Sequence, residues 1–457
     1  MATTKLTRAF GAGNRRTWTL SLWVKRSSLS GVQCIMAQQD GWQGNGNAGI
    51  YFESGKISTY NFGDNLNSGN SSKVGTKREF RDTNSWYHLV FRQDTTQGTA
   101  SNRFRIYVNG VQETDLLYTN YPSQNVEPNF NRSTRQHGIG GHQTDNSYQF
   151  DGSMSHVHFC DGYSYDASSF GQTDTTTGEW KAKTSPSVNY GTTGFLILKD
   201  GNTITDQSSN SNDFTLGGGT LTDLKDNPDN VFATLNPLSP QSYTFSNGNN
   251  TIVRAGGTGQ TTAIGTLAVN SGKWYWELKL NSGLSDYPRV GIYEMNSDNH
   301  IYTTHLGNAS NGTGKWWGSG GASSSNKKIG DGNSSTIEFY PYENGDILMF
   351  ALDCDNEKIW FGKNGTWYTN NNSTTTTGTA ISNNTATPAF SNVSNSKLWI
   401  PAVFGNAGAD NWSINFGNGY FGTTAVTSAG TNASDNGIFE YDVPTGYTAL
   451  STKGLNL

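Results

Sequence analysis

Carboxylates, histidines and tryptophans are the residues of this 457-residue chain whose placement could support catalysis or recognition. Glu338 and Glu343 in EFYPYE stand five positions apart, hence on opposite faces of a strand, and a proline interrupts them. Glycoside hydrolysis needs two carboxylates facing one bond, so this pair does not qualify. No G-x-S-x-G elbow, P-loop or H-E-x-x-H occurs. His156 and His158, two apart in SHVHF, would share a strand face and could hold a metal if His137 or His142 came near. Polar side chains on a wet face are the plainer reading. Trp42 in QDGWQGNGNAG and Trp316 with Trp317 in GTGKWWGSGGASSS sit in Gly-rich stretches, where an indole beside amide and hydroxyl donors can stack on a sugar ring. The alternative is that each folds back over its own core. Asp353 to Glu357, between the apolar runs Ile347–Leu352 and Ile359–Phe361, reads as a hairpin corner, because Asp and Asn bond their local backbone in turns. Cys354 is then an ordinary turn or core thiol.

The elements that must position these residues are strands. The chain is only 33% hydrophobic and 15% charged, yet it carries 13 Trp, 21 Tyr, 22 Phe and 55 Gly. So many aromatics exclude disorder, and aromatic-rich runs joined by polar turns are an all-β signature. A net charge of −5 without a basic stripe argues against a nucleic-acid partner. The first residues, MATTKLTRAFGAGNRRTW, lack an apolar h-region, and no run of 18 apolar residues occurs, so neither a secretory signal nor membrane insertion is expected. Cys34, Cys160 and Cys354 cannot all pair within one chain and read as buried thiols.

RTWTLSLWVKR, VQCIMAQQ, AGIYFES, SWYHLVFRQD and RFRIYVNGVQE follow one another as strands. In the first, Trp18, Leu20 and Leu22 share a buried face while Thr17, Thr19 and Ser21 face water. Asn109-Gly110 marks a two-residue hairpin. TLSLWVKR, WYHLVF, FRIYVNGV and GIGGHQTDNSYQFDGSMSHVHF, in that order, resemble laminin-G/concanavalin-A-like domains over residues 1 to 165. That resemblance implies an antiparallel jelly-roll sandwich. The run FLILKDGNTITDQSSNSNDFTL resembles the opening strand and turn of a laminin-G domain, and is expected to close the first sandwich in permuted fashion, over 195–216.

DNPDNVFATLNPLSP carries the prolines of a connector, 226–240, with Phe232 and Leu235 pinned in an apolar seam. Beyond it, GKWYWE, VGI, the hairpin starting at Gly345-Asp346, FGKNG and NFG at Asn415–Gly417 resemble a SPRY domain over 243–422. Trp274 and Trp276, with Tyr275 between them, read as strand residues packed in that sandwich. The expected fold class is all-β, two tandem antiparallel β-sandwiches: 1–225 laminin-G/concanavalin-A-like, 241–457 SPRY-like with a C-terminal tail. GIFEYDVPTGYTALSTKGLNL and NVFATLNPL resemble segments that recur in tailed-phage virion proteins, marine ones especially.

The resemblances imply site residues as well. In SPRY domains the loops corresponding to Tyr287 and Tyr302 help form the ligand surface. Some laminin-G-like domains bind calcium at one rim, for which Asp40, Asp145, Asn146 and Asp151 offer hard oxygen donors; their spacing fixes nothing, and solvated turns are the plainer reading. Concanavalin-like glycoside hydrolases carry E-x-D-x-x-E on a strand, and this chain has no such motif. The expectation is a non-enzymatic, exterior phage virion protein with no cofactor, calcium at that rim being the one candidate, a tail fibre or capsid appendage, present as a homo-oligomer or in many copies among other virion proteins. It would touch a host-surface glycan or protein during adsorption. The alternative is a capsid or tail decoration or adaptor protein that binds virion subunits without receptor contact.

Overall fold

The computed structural model describes residues 4–38, 47–61, 71–143, 147–199, 201, 203–238, 242–254, 261–283, 288–295, 314–319, 327–332, 334–371, 374–405 and 409–456. It is almost wholly β, with one five-residue α-helix, Gly378–Ser382, among the described residues. No helix among them is long and apolar enough to cross a membrane. The chain divides into two compact units, residues 1–223 with 227–229, and 224–226 with 230–457.

In the first unit an eight-stranded sheet runs, edge to edge, Leu116–Asn120, Ser72–Thr76, Lys56–Asn61, Ala48–Glu53, Val32–Gln38, Gln136–Ile139, Lys5–Ala9 and Thr215–Gly218. A six-stranded sheet runs Phe195–Ile197, Gly152–Asp161, Thr17–Arg26, Trp86–Asp94, Phe104–Val108 and Val111–Gln112. All pairings in both are antiparallel. Alternation places Trp18, Leu20, Leu22 and Val24 against Ile50, Phe52, Leu89 and Phe159 in one inter-sheet core. Each such side chain contributes about 1.5–3 kcal/mol by leaving water. Asn109 and Gly110 make the hairpin turn with φ of 47° and 83°, the left-handed pair that matches strand twist. Residues 195–218 supply an edge strand to each sheet: Phe195–Ile197 flanks Gly152–Asp161, two strands from Thr17–Arg26, and Thr215–Gly218 flanks Lys5–Ala9.

Thr19 and Ser21 are fully buried rather than wet. Residues 163–194 fold back over that face, and Ala167, Phe170, Trp180 and Tyr190 pack on Val90, Tyr107 and Cys160. Period-two spacing tells which side chains share a face; it cannot tell whether a later segment will cover it.

The second unit is likewise built on two large sheets, beside a two-stranded one, Tyr420–Phe421 with Thr424–Ala425. The larger runs Tyr243–Ser246, Thr251–Arg254, Asn411–Asn415, Lys273–Ser282, Ile347–Asp353, Lys358–Lys363, Thr366–Tyr368 and Thr375–Thr376, with Thr448–Ala449 paired in parallel to Lys273–Ser282. The smaller runs Thr261–Ile264, Leu398–Gly405, Arg289–Met295, Gly314–Ser319, Lys327–Asp331 and Ser334–Glu338. Trp274, Trp276, Phe350, Phe361 and Trp412 fill the space between them, Trp276 stacking on Phe350 at 5.3 Å. The Asp353–Glu357 corner is a turn closed by Asn356, whose backbone and side-chain nitrogens donate to Asp353 at 2.9 and 2.8 Å.

The C-terminal segment is a second packed layer. Phe439, Val443, Tyr447 and Ala449 bury the outward Tyr275, Met349 and Trp360 of the larger sheet, with Phe232 among them. Ala233 N donates to Leu450 O, and Thr452 N donates to Val231 O, both at 2.9 Å. The two short segments that prompt the virion resemblance are thus one structure: they clasp each other at the two ends of the SPRY-like sequence.

Candidate binding surface

Trp316 and Trp317 require a correction. They lie on strand Gly314–Ser319, 1% and 0% exposed, not in a Gly-rich loop. Trp317 faces the inter-sheet core, stacks on Phe361 and donates Nε1–H to Tyr340 O at 3.0 Å. Trp316 packs on the other face with Tyr293 and Ile400, under the Arg289 guanidinium at 4.1 Å. Neither indole face is open to a ligand. Flanking glycines made the segment look like a loop, whereas the strand spans only six residues. Trp42, Tyr287, Tyr302, Asp40, Asp145 and Asn146 lie outside the described residues.

Of the four residues named for calcium, Asp151 is the one that is described. The carbonyl oxygens of His142 and Gln143 point at the Lys5 ammonium, at 2.8 and 3.4 Å, a cation supplied by the chain itself. Burial raises the Asp151 carboxyl above its ordinary range. Among the described residues no three His, Cys, Asp or Glu side chains group as metal ligands.

The histidines also separate. A bulge between Ser155 and His158 breaks the alternation that would align His156 with His158. His158 is buried under the 163–194 segment, its Nδ1 2.9 Å from the Tyr190 hydroxyl. Beside it, His88 accepts from Trp180 Nε1 at Nδ1, 2.9 Å, so its proton sits on Nε2 and goes to Ser21 Oγ. His137 accepts from Asn131 N at Nε2, so its Nδ1–H goes to Arg135 O. Burial pushes both His88 and His137 down to about 3, and His158 well below the ordinary range. These neutral rings are structural.

A different surface brings polar and aromatic groups together. In Ala48–Glu53, Ile50 and Phe52 face the core, which turns Tyr51 and Glu53 outward; in the paired strand, Ile57 faces in and Tyr60 out. Tyr51 lies 6.0 Å from Tyr60 and 6.2 Å from Tyr148, with His142 4.8 Å from Tyr148. Tyr51 Oη meets His142 Nε2 at 3.0 Å. Lys73 Nζ sits 4.4 Å from the Tyr60 ring and 3.7 Å from Tyr118, and 3.5 Å from Glu53 Oε2. Tyr60 Oη donates to that same oxygen at 2.5 Å. The Tyr51 ring lies over Gly49, where any Cβ would collide with it. Tyr118 and Tyr148 are 36% and 47% exposed. Neighbouring strands lie about 4.8 Å apart, so a strip crossing four of them extends about 15–20 Å. Alternation in AGIYFES carries the signal for Tyr51, but aromatic strand residues are read first as core.

Glu277, the acid of GKWYWE, is the other polar focus. It is fully buried, and its carboxylate accepts from Tyr275 Oη, Asn415 Nδ2, Glu440 N and Tyr441 N at 2.9 to 3.2 Å. Burial raises it to about 7, against those four donors. Every lone-pair direction is taken by the chain, so Glu277 pins the C-terminal layer and leaves no room for a substrate.

Comparison with known proteins fits these two units. The family model of the concanavalin A-like lectin/glucanases superfamily matches residues 4–163, and that of the SPRY domain matches residues 273–419. No curated protein matches the chain. Similar solved structures include the SPRY domain of human HERC1, 18% identical over 39% of this chain and 96% of that one, TM-score 0.29. A native heptameric SAP-like pentraxin from Limulus polyphemus is 14% identical over 44% and 90%, TM-score 0.29. The TRIM65 PSpry domain is 14% identical over 40% and 89%, TM-score 0.26. The chain therefore carries a concanavalin-A-like domain followed by a SPRY domain, folds that bind carbohydrate or protein.

Proposed function

We propose that this chain is a non-enzymatic binding protein of a tailed-phage virion, displayed on its exterior in several copies, and that it engages a host-surface glycan during adsorption. The observation that carries the glycan reading is the open strip of Tyr51, Tyr60, Tyr118 and Tyr148 with Lys73 and Glu53 on the solvent side of the eight-stranded sheet. Flat aromatic faces interleaved with charged hydrogen-bonding groups suit pyranose rings, which present apolar faces and hydroxyl edges. The virion reading is supported by the connector and tail segments, whose likeness to phage proteins is joined by their packing on each other.

Purified protein should compete with virions for adsorption to host cells. Losing Tyr118 and Tyr148 together removes about 1 kcal/mol per ring, or about thirtyfold in affinity. Tyr118→Ala/Tyr148→Ala protein that competes as well as the parent would refute the strip. Mass spectrometry and imaging of purified virions test the location, and a reducing-end assay on host polysaccharide should stay blank.

A further inference from the structure

A lysine, an aspartate and an asparagine meet at one edge of the second unit. Lys315, on Gly314–Ser319, has its side chain 3% exposed and pairs across the sheet with Asp331. Its Nζ lies 2.7 Å from Asp331 Oδ1, while Asn392 Nδ2 donates to Asp331 Oδ2, also at 2.7 Å. The rings of Phe390 and Trp399 stand 5.7 and 5.8 Å from Nζ and keep water from much of the amine. We propose that Lys315 and Asn392 condense, without any added enzyme, into an intramolecular isopeptide bond with Asp331 as the proton shuttle.

The atoms balance without a co-reactant. Asp331 Oδ1 takes a proton from the ammonium, and the neutral amine attacks Asn392 Cγ to form the new C–N bond. The carboxyl returns that proton to Nδ2 and takes the surplus proton from the attacking nitrogen; the Cγ–Nδ2 bond then breaks, and ammonia leaves and carries that last proton off as ammonium. The amide orientation is the productive one, since the leaving nitrogen already touches the oxygen opposite the one that holds the amine. The product would fasten the loop around Asn392 to the strand bearing Lys315.

Two other Lys–Asp–Asn groups serve as internal comparisons. Lys273 and Asn356 both approach the same oxygen of Asp353, Oδ2, so no two-oxygen relay exists, and Lys273 is 26% exposed. Lys363 and Asn364 share Asp346 but are adjacent in the chain, and Lys363 is 21% exposed. Neither should react.

Intact-mass spectrometry of the full chain tests this. The protein should be about 17 Da lighter than its sequence, the mass of one ammonia, and proteolysis should release a branched peptide joining Lys315 to Asn392. Lys315→Arg and Asn392→Ala should each restore the sequence mass; Asn392 is exposed, so its variant should fold as the parent does. Asp331→Ala should slow the reaction at least tenfold. Parent protein at its sequence mass after prolonged incubation overturns the proposal, as does a deficit that maps to a succinimide at an Asn-Gly step.

Discussion

Acidification should move the two units in opposite directions. His88 and His137 of the first unit are held near 3, while an unfolded histidine titrates near 6.5. Below 6.5 the unfolded chain binds protons that the folded one refuses, so stability falls as the pH falls through that window. Integrated from pH 7 to pH 5, each ring costs about 2 kcal/mol, so the pair costs about 4 kcal/mol, with His158 adding in the same sense. Asp151, raised by burial, offsets part of this loss. In the second unit Glu277 is raised to about 7 and Asp410 to about 6, both by burial. There the folded state keeps protons that the unfolded one releases, so the same acidification stabilises it by about 2 and 1 kcal/mol respectively. Domains have about 5–15 kcal/mol in all, so the opposed shifts are measurable. Denaturant unfolding read by hydrogen-exchange mass spectrometry follows each unit within the intact chain. The first unit should unfold at lower denaturant at pH 5 than at pH 7, the second at higher. A common direction for both units, or a first unit indifferent to pH, refutes the assignment of the histidines as buried neutral rings.

Trp317→Ala should destabilise the second unit by about 3–5 kcal/mol through the cavity it leaves, lowering its unfolding midpoint while leaving affinity of the folded fraction unchanged. Glu277→Gln replaces one accepting oxygen with a donor and deprives the Glu440 or Tyr441 amide of its acceptor, at about 1–3 kcal/mol. Its signature is faster exchange in residues 438–450. Trp180→Ala should loosen the covering segment 163–194, and with the Nε1–H gone the His88 ring should titrate at a higher pH by NMR.

Much of this architecture is legible in the residues themselves. The inward faces of RTWTLSLWVKR and AGIYFES, the Asn109-Gly110 turn and the Asp353–Glu357 corner follow from period two and turn chemistry, which act over a few residues. What does not follow is which outer faces acquire a second layer. Thr19 and Ser21 look wet until residues 163–194 cover them, and Tyr275 looks like an ordinary sandwich residue until the C-terminal layer settles on it. The candidate strip was hidden for a related reason. Tyr51, Tyr60, Tyr118 and Tyr148 come from four separate segments, and only strand register and a returning loop unite them. Conversely, the glycine neighbours of Trp316 and Trp317 suggest a loop, although two consecutive indoles on a strand can each be buried on opposite faces.

The claim that recognition lies on the outer face of the eight-stranded sheet meets its most direct test in hydroxyl-radical footprinting of the intact protein with and without host-surface polysaccharide. Oxidation of Tyr118 and Tyr148 should fall when polysaccharide is present, while exposed Leu398 of the second unit should be unaffected. Saturating polysaccharide that leaves both tyrosines as reactive as before would contradict it.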